Sequence, residues 1–450
     1  MARIAVIGAG MGAMAAAARL AVAGHRVTVY ERSGTYGGAV GRFERDGFVF
    51  DTGPGLLHLP AVWRDVFVKT GREPLEKCVE LVQVDPAARH LFADGSTVTL
   101  PNASRAGVVD ALDAALGGGA GERWGAYLDR ARATWDRTRR PLLEEPLPAD
   151  VSPLERDPYP ALKSGLLRRT ARTVEDVGLR ELRDPRLAAL LGSYARLYGF
   201  DPHTAPASAA VLPYMEQTFG SWYVRGGMRE LARAVYERCL ARKVEFVFDA
   251  EVAGVREKEG RACGLELADG QEVEADQVVA GVPLPSAGWP RGEQGAGALV
   301  VFLALSGGRP TDTVHRTVVH GDGDALPVVT VERPDDPAAV PDSGHEAVRL
   351  TAPGAGAGQL DQVLAAAETA VPGLRSRLLW QETSVAGAAR GPALAGAGGA
   401  FLAAANRSEL PGLYRAGGWS HPGGGLAHAG MSGALVAGLI VEGDAFRGSQ

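Results

Sequence analysis

Near the amino terminus the chain reads Gly8-Ala9-Gly10-Met11-Gly12-Ala13, small residues around one methionine, and Glu31 follows roughly 20 residues on. Those types at that spacing suit one task. Gly8 permits a tight turn, and Gly10 lets the backbone approach a pyrophosphate closely. Ala13 stands where a third glycine is usual, and it is small enough for that packing role. Met11 and Gly12 open a segment whose free N–H groups would face the phosphates. The Glu31 carboxylate can accept from both ribose hydroxyls and would repel a 2′-phosphate. A second glycine-rich set lies far away, at Gly417, Gly418 and Gly423 to Gly425, with His421 and His428 beside it. An imidazole moves protons near neutral pH, so His421 and His428 are candidates for proton handling, with His58 and Tyr223 as further ones. His421 serves equally as a loop-binding residue, and His428 sits just before the last helix, facing either the site or solvent.

These residues need elements to hold them. Arg3 to Ile7 reads as a short buried strand, Ala15 to Ala23 as a helix closed by Gly24, and Arg26 to Tyr30 as a second strand ending at Glu31. Strand, glycine turn, helix, strand and acid in this order make a dinucleotide-binding Rossmann half-site. Val244 to Val255 reads as a strand, Gly264 to Val279 as a hairpin, and Ala429 to Val441 as a helix. Between them, Val79 to Val84, Arg89 to Phe92, Thr97 to Leu100, Leu299 to Leu305, Val314 to His320, Val328 to Val331, Ala347 to Thr351 and Arg377 to Val385 have strand character. Gln359 to Val371 reads as a helix. The stretch 122–212 is mostly helical and broken by prolines.

The residues after Glu31 separate flavin from nicotinamide use. Arg32 to Gly38 ends in the pair Gly37-Gly38, and Phe48 to Pro54 reads Phe-Val-Phe-Asp-Thr-Gly-Pro. A nicotinamide dehydrogenase needs neither. Trp222 to Met228 carries an aromatic, Gly226-Gly227 and Met228. Leu413 to Gly425 reads Leu-Tyr-Arg-Ala-Gly-Gly-Trp-Ser-His-Pro-Gly-Gly-Gly. Together these resemble the phytoene desaturase and amine oxidase superfamily of FAD enzymes, closest to its phytoene desaturase branch.

The resemblance implies non-covalent FAD held by the residues above together with Arg32, Gly37, Gly38, Ala39, Arg42, Gly53 and Pro54. It implies that the Val252 backbone meets the adenine, and that Gly417, Gly418, Gly425 and Leu426 pass the flavin. One departure stands out: the family often has Arg after the paired glycines, and this chain has Ala39, with Arg42 as a substitute three residues on. The implied fold is α/β, with a Rossmann-like FAD-binding domain (parallel sheet with helices) and a discontinuous substrate domain of mixed sheet and helices. The FAD domain is expected in residues 1–75, 221–290 and 408–450. A substrate sheet is expected in 76–104 and 291–407, and a helical lid in 105–220.

Bulk properties remove other classes. The 450 residues exceed one simple core. A net charge of −6 provides no positive field for nucleic acid. Cys78, Cys239 and Cys263 form no CxxC, and the nine histidines form no metal-ligand spacing, so no metal site is expected. The Ala-rich start reads as the helix of the half-site rather than a secretory leader. No run reaches the roughly 20 apolar residues of a membrane span, the longest being Ala298 to Leu305. A cytoplasmic protein is expected. Leu162 to Arg172 mixes leucines with basic residues and leaves peripheral membrane contact open. The expected activity is oxidoreduction of carbon–carbon bonds in a lipophilic substrate (isoprenoid, polyene or polyketide-like), by desaturation, saturation or isomerisation. An amine oxidase is the alternative.

Overall fold

Five strands run parallel in the order Glu245–Val247, Arg26–Tyr30, Arg3–Ile7, Gln277–Ala280, Leu413–Arg415. The computed structural model describes residues 1–162, 170–283, 297–321, 327–387 and 390–449. Ile4 to Ile7 are buried, as a parallel strand covered on both faces requires. The register aligns Ile7 with Tyr30 and Ala280, and Ala280 with Arg415. All five strands therefore stop at one level. Gly8, Glu31, Gly281 and Ala416 all step off the same carboxyl edge, where ligands of open α/β sheets bind.

Two helices rich in small residues pack over this edge. Met11–Val22 is buried from Met11 to Ala18, and it lies against Leu426–Glu442. A side chain on Gly433 would run into the Gly12 carbonyl and, at 2.7 Å, the Ala16 nitrogen. Glycine is thus what lets the two backbones touch. The C-terminal helix starts three residues earlier than its apolar pattern suggests, so His428 belongs to its first turn. Among the described residues, Leu426–Ala445 is the one helix long and apolar enough to cross a membrane, and 61% of its most apolar stretch is buried inside the protein.

The second sheet has seven strands in the order Leu378–Ala386, Ala298–Ser306, His345–Pro353, Val329–Glu332, Arg316–Val319, Ala88–Leu91, Thr97–Leu100. All neighbours are antiparallel except Arg316–Val319 with Ala88–Leu91. The strand Ala298–Ser306 serves two cores by alternation. Leu299, Val301, Leu303 and Leu305 join the helix Leu360–Glu368, while Val300, Phe302 and Ala304 face Phe48 and Phe50 of the Arg42–Asp51 hairpin.

Some expected elements divide differently. Leu81–Gln83 joins a separate small sheet with Ser221–Val224 and Leu57–His58. The single strand expected over Val244 to Val255 is two, Glu245–Val247 in the parallel sheet and Val252–Lys258 in a three-stranded meander. The hairpin partner of Arg261–Leu267 is Glu272–Glu274, and Gln277–Ala280 then enters the parallel sheet.

The helical region packs Arg105–Leu116, Ala120–Arg139, Pro185–Leu197 and Val211–Phe219 around Trp124, Leu191 and Leu212, against Met431 and Leu435 of the C-terminal helix. Ala120–Arg139 runs on into a π-helical turn at Arg140–Glu144. The basic segment from Leu162 to Arg172 lies mostly outside the described residues.

Candidate functional site

At the first turn, Gly8 adopts φ +86°, and its N–H donates to the Tyr30 carbonyl at 2.7 Å. Gly10 caps Met11–Val22 with no side-chain hydrogen bond, and no acid occupies the first helical turn. A β-carbon on Gly10 would meet nothing within 4 Å, so its outer face is open. Glu31 folds back over the turn. One carboxylate oxygen accepts the Ala9 N–H at 2.7 Å, and the other accepts the Ser33 N–H at 2.9 Å and hydroxyl at 2.8 Å. Each carboxylate oxygen offers two acceptor positions, so Oε2 keeps one free and the anchored group stays an acceptor.

Three further glycine segments stack here. The Gly37 N–H donates to the Ala9 carbonyl at 2.8 Å, and a β-carbon on Gly38 would lie 3.0 Å from Gly10 Cα. One on Gly53 would strike the Ala39 carbonyl, which sets the exposed Pro54 beside the same loop. One on Gly12 would stand 2.6 Å from Gly417 Cα. The two glycine-bearing ends of the chain are therefore in backbone contact. The third-glycine role is shared out: Ala13 is buried, and it is Gly281 that must lack a side chain, since its β-carbon would stand 2.7 Å from that of Ala13.

The C-terminal loop is organised by polar residues that carry no motif. Buried Asn406 donates to the Arg415 carbonyl at 3.1 Å, the His421 carbonyl at 2.7 Å and Ser432 Oγ at 3.1 Å. The Gly417 N–H donates to Ser432 Oγ at 3.1 Å. Gly418 lies against Gly424, whose N–H donates to the Gly391 carbonyl at 2.8 Å. Gly425, at φ +99°, then caps Leu426–Glu442, again with no side-chain cap and no acid in the first turn.

His421 is fully buried. Its Nε2 lies 2.9 Å from the Glu145 carbonyl, to which it donates, and burial pushes its pKa down to about 4. His428 is 6% exposed, and burial together with nearby His421 pushes it to about 4 as well. These two share a neighbourhood with the C-terminal glycines. The other two candidates do not. His58 Nε2 stands 3.7 Å from Glu216, which forms a buried ion pair with Arg316, and burial lowers the His58 pKa. The Tyr223 hydroxyl donates to Asp336 at 2.9 Å, and burial raises its pKa. Tyr223 lines a separate cleft with Asp51, Glu332 and Arg349.

Arg42 pairs with Glu44 through its guanidinium, and Arg32 and Ala39 are exposed. Val252 packs half-buried near Tyr30, after the Ala250 N–H donates to the Glu31 carbonyl at 2.9 Å. The cation that braces the paired-glycine loop is Arg229, which the motifs did not single out. It lies over the Tyr36 ring at 4.1 Å and donates to the Tyr36 carbonyl, to the Val40 carbonyl at 3.2 Å and to Thr35 Oγ1 at 2.5 Å. Its position directly after Gly-Gly-Met, in the first turn of Met228–Ala241, was the available signal.

The family described as flavin containing amine oxidoreductase matches residues 14–294. The chain belongs to that family. Among its relatives, 4,4'-diapolycopene oxygenase of Methylomonas sp is 33% identical over 277 residues, 62% of this chain and 55% of that protein. Zeta-carotene-forming phytoene desaturase of Myxococcus xanthus is 31% identical over 289 residues, 63% of this chain and 54% of that protein. The chain thus spans about half the length of the curated relatives it matches. In fold it is similar to an oxidoreductase from Methanosarcina mazei, with TM-score 0.69, 15% identity, and coverage of 96% of this chain and 99% of that one. It is similar also to putrescine oxidase bound to putrescine, with TM-score 0.67, 15% identity, and coverage of 98% and 99%. The residues present fit a flavin: the turn is open at Gly10, and two helix starts offer N–H groups without a capping side chain.

Proposed function

We propose that this chain binds FAD non-covalently and oxidises, reduces or isomerises carbon–carbon bonds of a lipophilic substrate. The observation that carries the reading is the backbone contact of Gly12 with Gly417, which joins two helix starts lacking a side-chain cap. A molecule with a diphosphate at one end and an electron-rich ring at the other suits both. When bound, FAD supplies a two-electron acceptor or donor at N5. The relatives named as carotenoid enzymes support the substrate class.

In this reading Glu31 holds the ribose, and Gly8 to Ala13 face the diphosphate. Gly37 to Ala39, with Gly53 and Pro54, line the path toward the ring. The start of Leu426–Glu442 favours negative charge on the ring, with Gly417, Gly418 and Gly425 passing it closely. Residues 1–75, 221–290 and 408–450 form the FAD side, 76–104 and 291–407 the substrate sheet, and 105–220 the helical cover. His428 is the proton-handling candidate by position, its Nδ1 lying 3.4 Å from where a Gly425 side chain would begin. The cysteines support non-covalent attachment: Cys78, Cys239 and Cys263 all lie outside the C-terminal motif.

The test is anaerobic mixing of the purified protein with lipophilic alkenes, saturated isoprenoids and amines. Bleaching of the flavin band by isoprenoids is the expected result, with FAD released on heat denaturation. Bleaching by amines alone would sink the desaturase reading.

A further inference from the structure

The glycine turn that would seat a diphosphate has donors but no free cation near it in sequence. The N–H groups at the start of Met11–Val22 offer partial charge only. Ala39 follows the paired glycines and is neutral, and Arg42 is committed to Glu44. Arg229 gives its N–H groups to the Tyr36 and Val40 carbonyls and to Thr35. Arg32 is exposed, so water already solvates its charge.

Arg390 reaches the same place from the far end of the chain. Its segment is fastened to the C-terminal glycine loop. Pro392 pairs with Gly423, the Gly424 N–H donates to the Gly391 carbonyl at 2.8 Å, and the Ala393 N–H donates to the Pro422 carbonyl at 2.8 Å. A β-carbon on Gly424 would stand 1.6 Å from the Arg390 carbonyl oxygen. From this anchored backbone the guanidinium lies over the Trp419 ring, 4.9 Å from its centre. Trp419 packs against the same apolar cluster as Val282, and Val282 stands 2.8 Å from where a Gly8 side chain would begin. Gly417, two residues before Trp419, is the glycine in contact with Gly12. The guanidinium is thus carried to the flank of the first turn.

That guanidinium is partly buried and uncommitted. Its Nε is shut off from solvent with no acceptor, and none of its N–H groups has a hydrogen bond or an ion pair among the described residues. Buried Arg316 and Arg333 each pair with a carboxylate. The tryptophan meets the face of the cation and leaves its in-plane donors unused. A charge drawn out of water is unfavourable until an anion joins it, and a planar fork of N–H donors matches phosphate oxygens.

Resting on the flavin reading above, we infer that Arg390 is the cation that pairs with the diphosphate of the bound cofactor. The diphosphate then ties the two ends of the chain together: Gly10 to Gly12 hold it through backbone N–H groups, and Arg390 holds it through charge.

The experiment strips flavin from the full-length protein and titrates FAD back at low and at high salt, reading bound flavin by absorbance and by fluorescence quenching. Arg390→Met is expected to weaken FAD about 10- to 100-fold at low salt and to flatten the salt dependence. The shape of the bound-flavin band should stay as in the wild type, because the glycines at the ring are untouched. Arg390→Lys should recover part of the affinity, since the charge returns without the fork. Ala39→Arg added to Arg390→Met should recover affinity as well, because the neighbouring Gly38 lies against Gly10. Arg390→Gln carries the same expectation as Arg390→Met should the latter not fold. Unchanged FAD affinity in these neutral variants would overturn the inference. So would a loss that neither Arg390→Lys nor Ala39→Arg corrects, which marks a packing role. In both cases the flavin reading stands. A wild-type chain that takes up no FAD sinks the flavin reading, and this inference with it.

Discussion

Three helices at the glycine motifs start the same way, and one ends up different. Met11–Val22, Met228–Ala241 and Leu426–Glu442 each begin after a glycine, Gly10, Gly227 and Gly425, with no cap from that residue. At Met228 the protein supplies its own anion. Asp51 accepts the Met228 N–H at 2.9 Å and the Arg229 N–H at 3.4 Å. At the other two starts no side chain among the described residues does so, and both lie at the Gly12–Gly417 contact. A glycine start gives a closed joint in one place and two uncapped helix starts in another. What differs is whether a distant carboxylate reaches it.

The comparison breaks most severely at Gly12. In Gly12→Leu the new side chain meets Gly417 and Ala429 backbone, which cannot give way. About 3 kcal/mol or more of stability should be lost, together with bound flavin, as read by urea unfolding and absorbance. Next comes Glu31→Arg, which removes the ribose acceptor and its brace on Ala9. Flavin retention should fall roughly 10- to 100-fold with the fold intact; unchanged cofactor content would count against the adenosine placement. Gly425→Leu should empty the flavin seat at a cost of about 1–3 kcal/mol, because φ is +99° there. Full occupancy in that variant would place the C-terminal loop elsewhere.

Asp51→Ala opens the third start. It should cost about 1–2 kcal/mol and leave flavin content unchanged, as followed by thermal melting. The smallest effect is on pH. Burial raises the Asp51 pKa from 3.8 to about 6. The folded state therefore favours the protonated acid, and that contribution is complete below about 4 and is lost as pH rises through 6. Asp51→Asn should flatten the melting temperature across that window. A persistent slope would assign the titration to another group.

What could be read from sequence was what lies within one or two elements. The Gly8–Glu31 unit spells out a strand, turn, helix and acid whose physical roles are local, and the C-terminal glycine run does the same. The strand segments of the seven-stranded sheet were legible by their apolar runs, but their order was not, since pairing such as Arg316–Val319 with Ala88–Leu91 joins distant stretches. The same limit hid Asn406, whose hydrogen bonds are formed only once the loop is closed, and Arg229, which braces residues almost two hundred positions away. It hid the exchange by which Gly281 supplies the space Ala13 occupies. His428 was misjudged for a nearer reason: Gly425 as a helix cap is an uncommon signal, and apolar periodicity sets in only after it.

The level ends of the parallel strands carry one more implication. Tyr30, Ile7, Ala280 and Arg415 finish side by side, so each departure from the sheet starts and returns at a rigid frame. The long excursions from Tyr30 to Glu245 and from Ala280 to Leu413 both leave from the edge that bears the glycine turns and return at the opposite edge of the same sheet, so Glu31 and Gly281, the first residues out, are held in place however far the chain then travels.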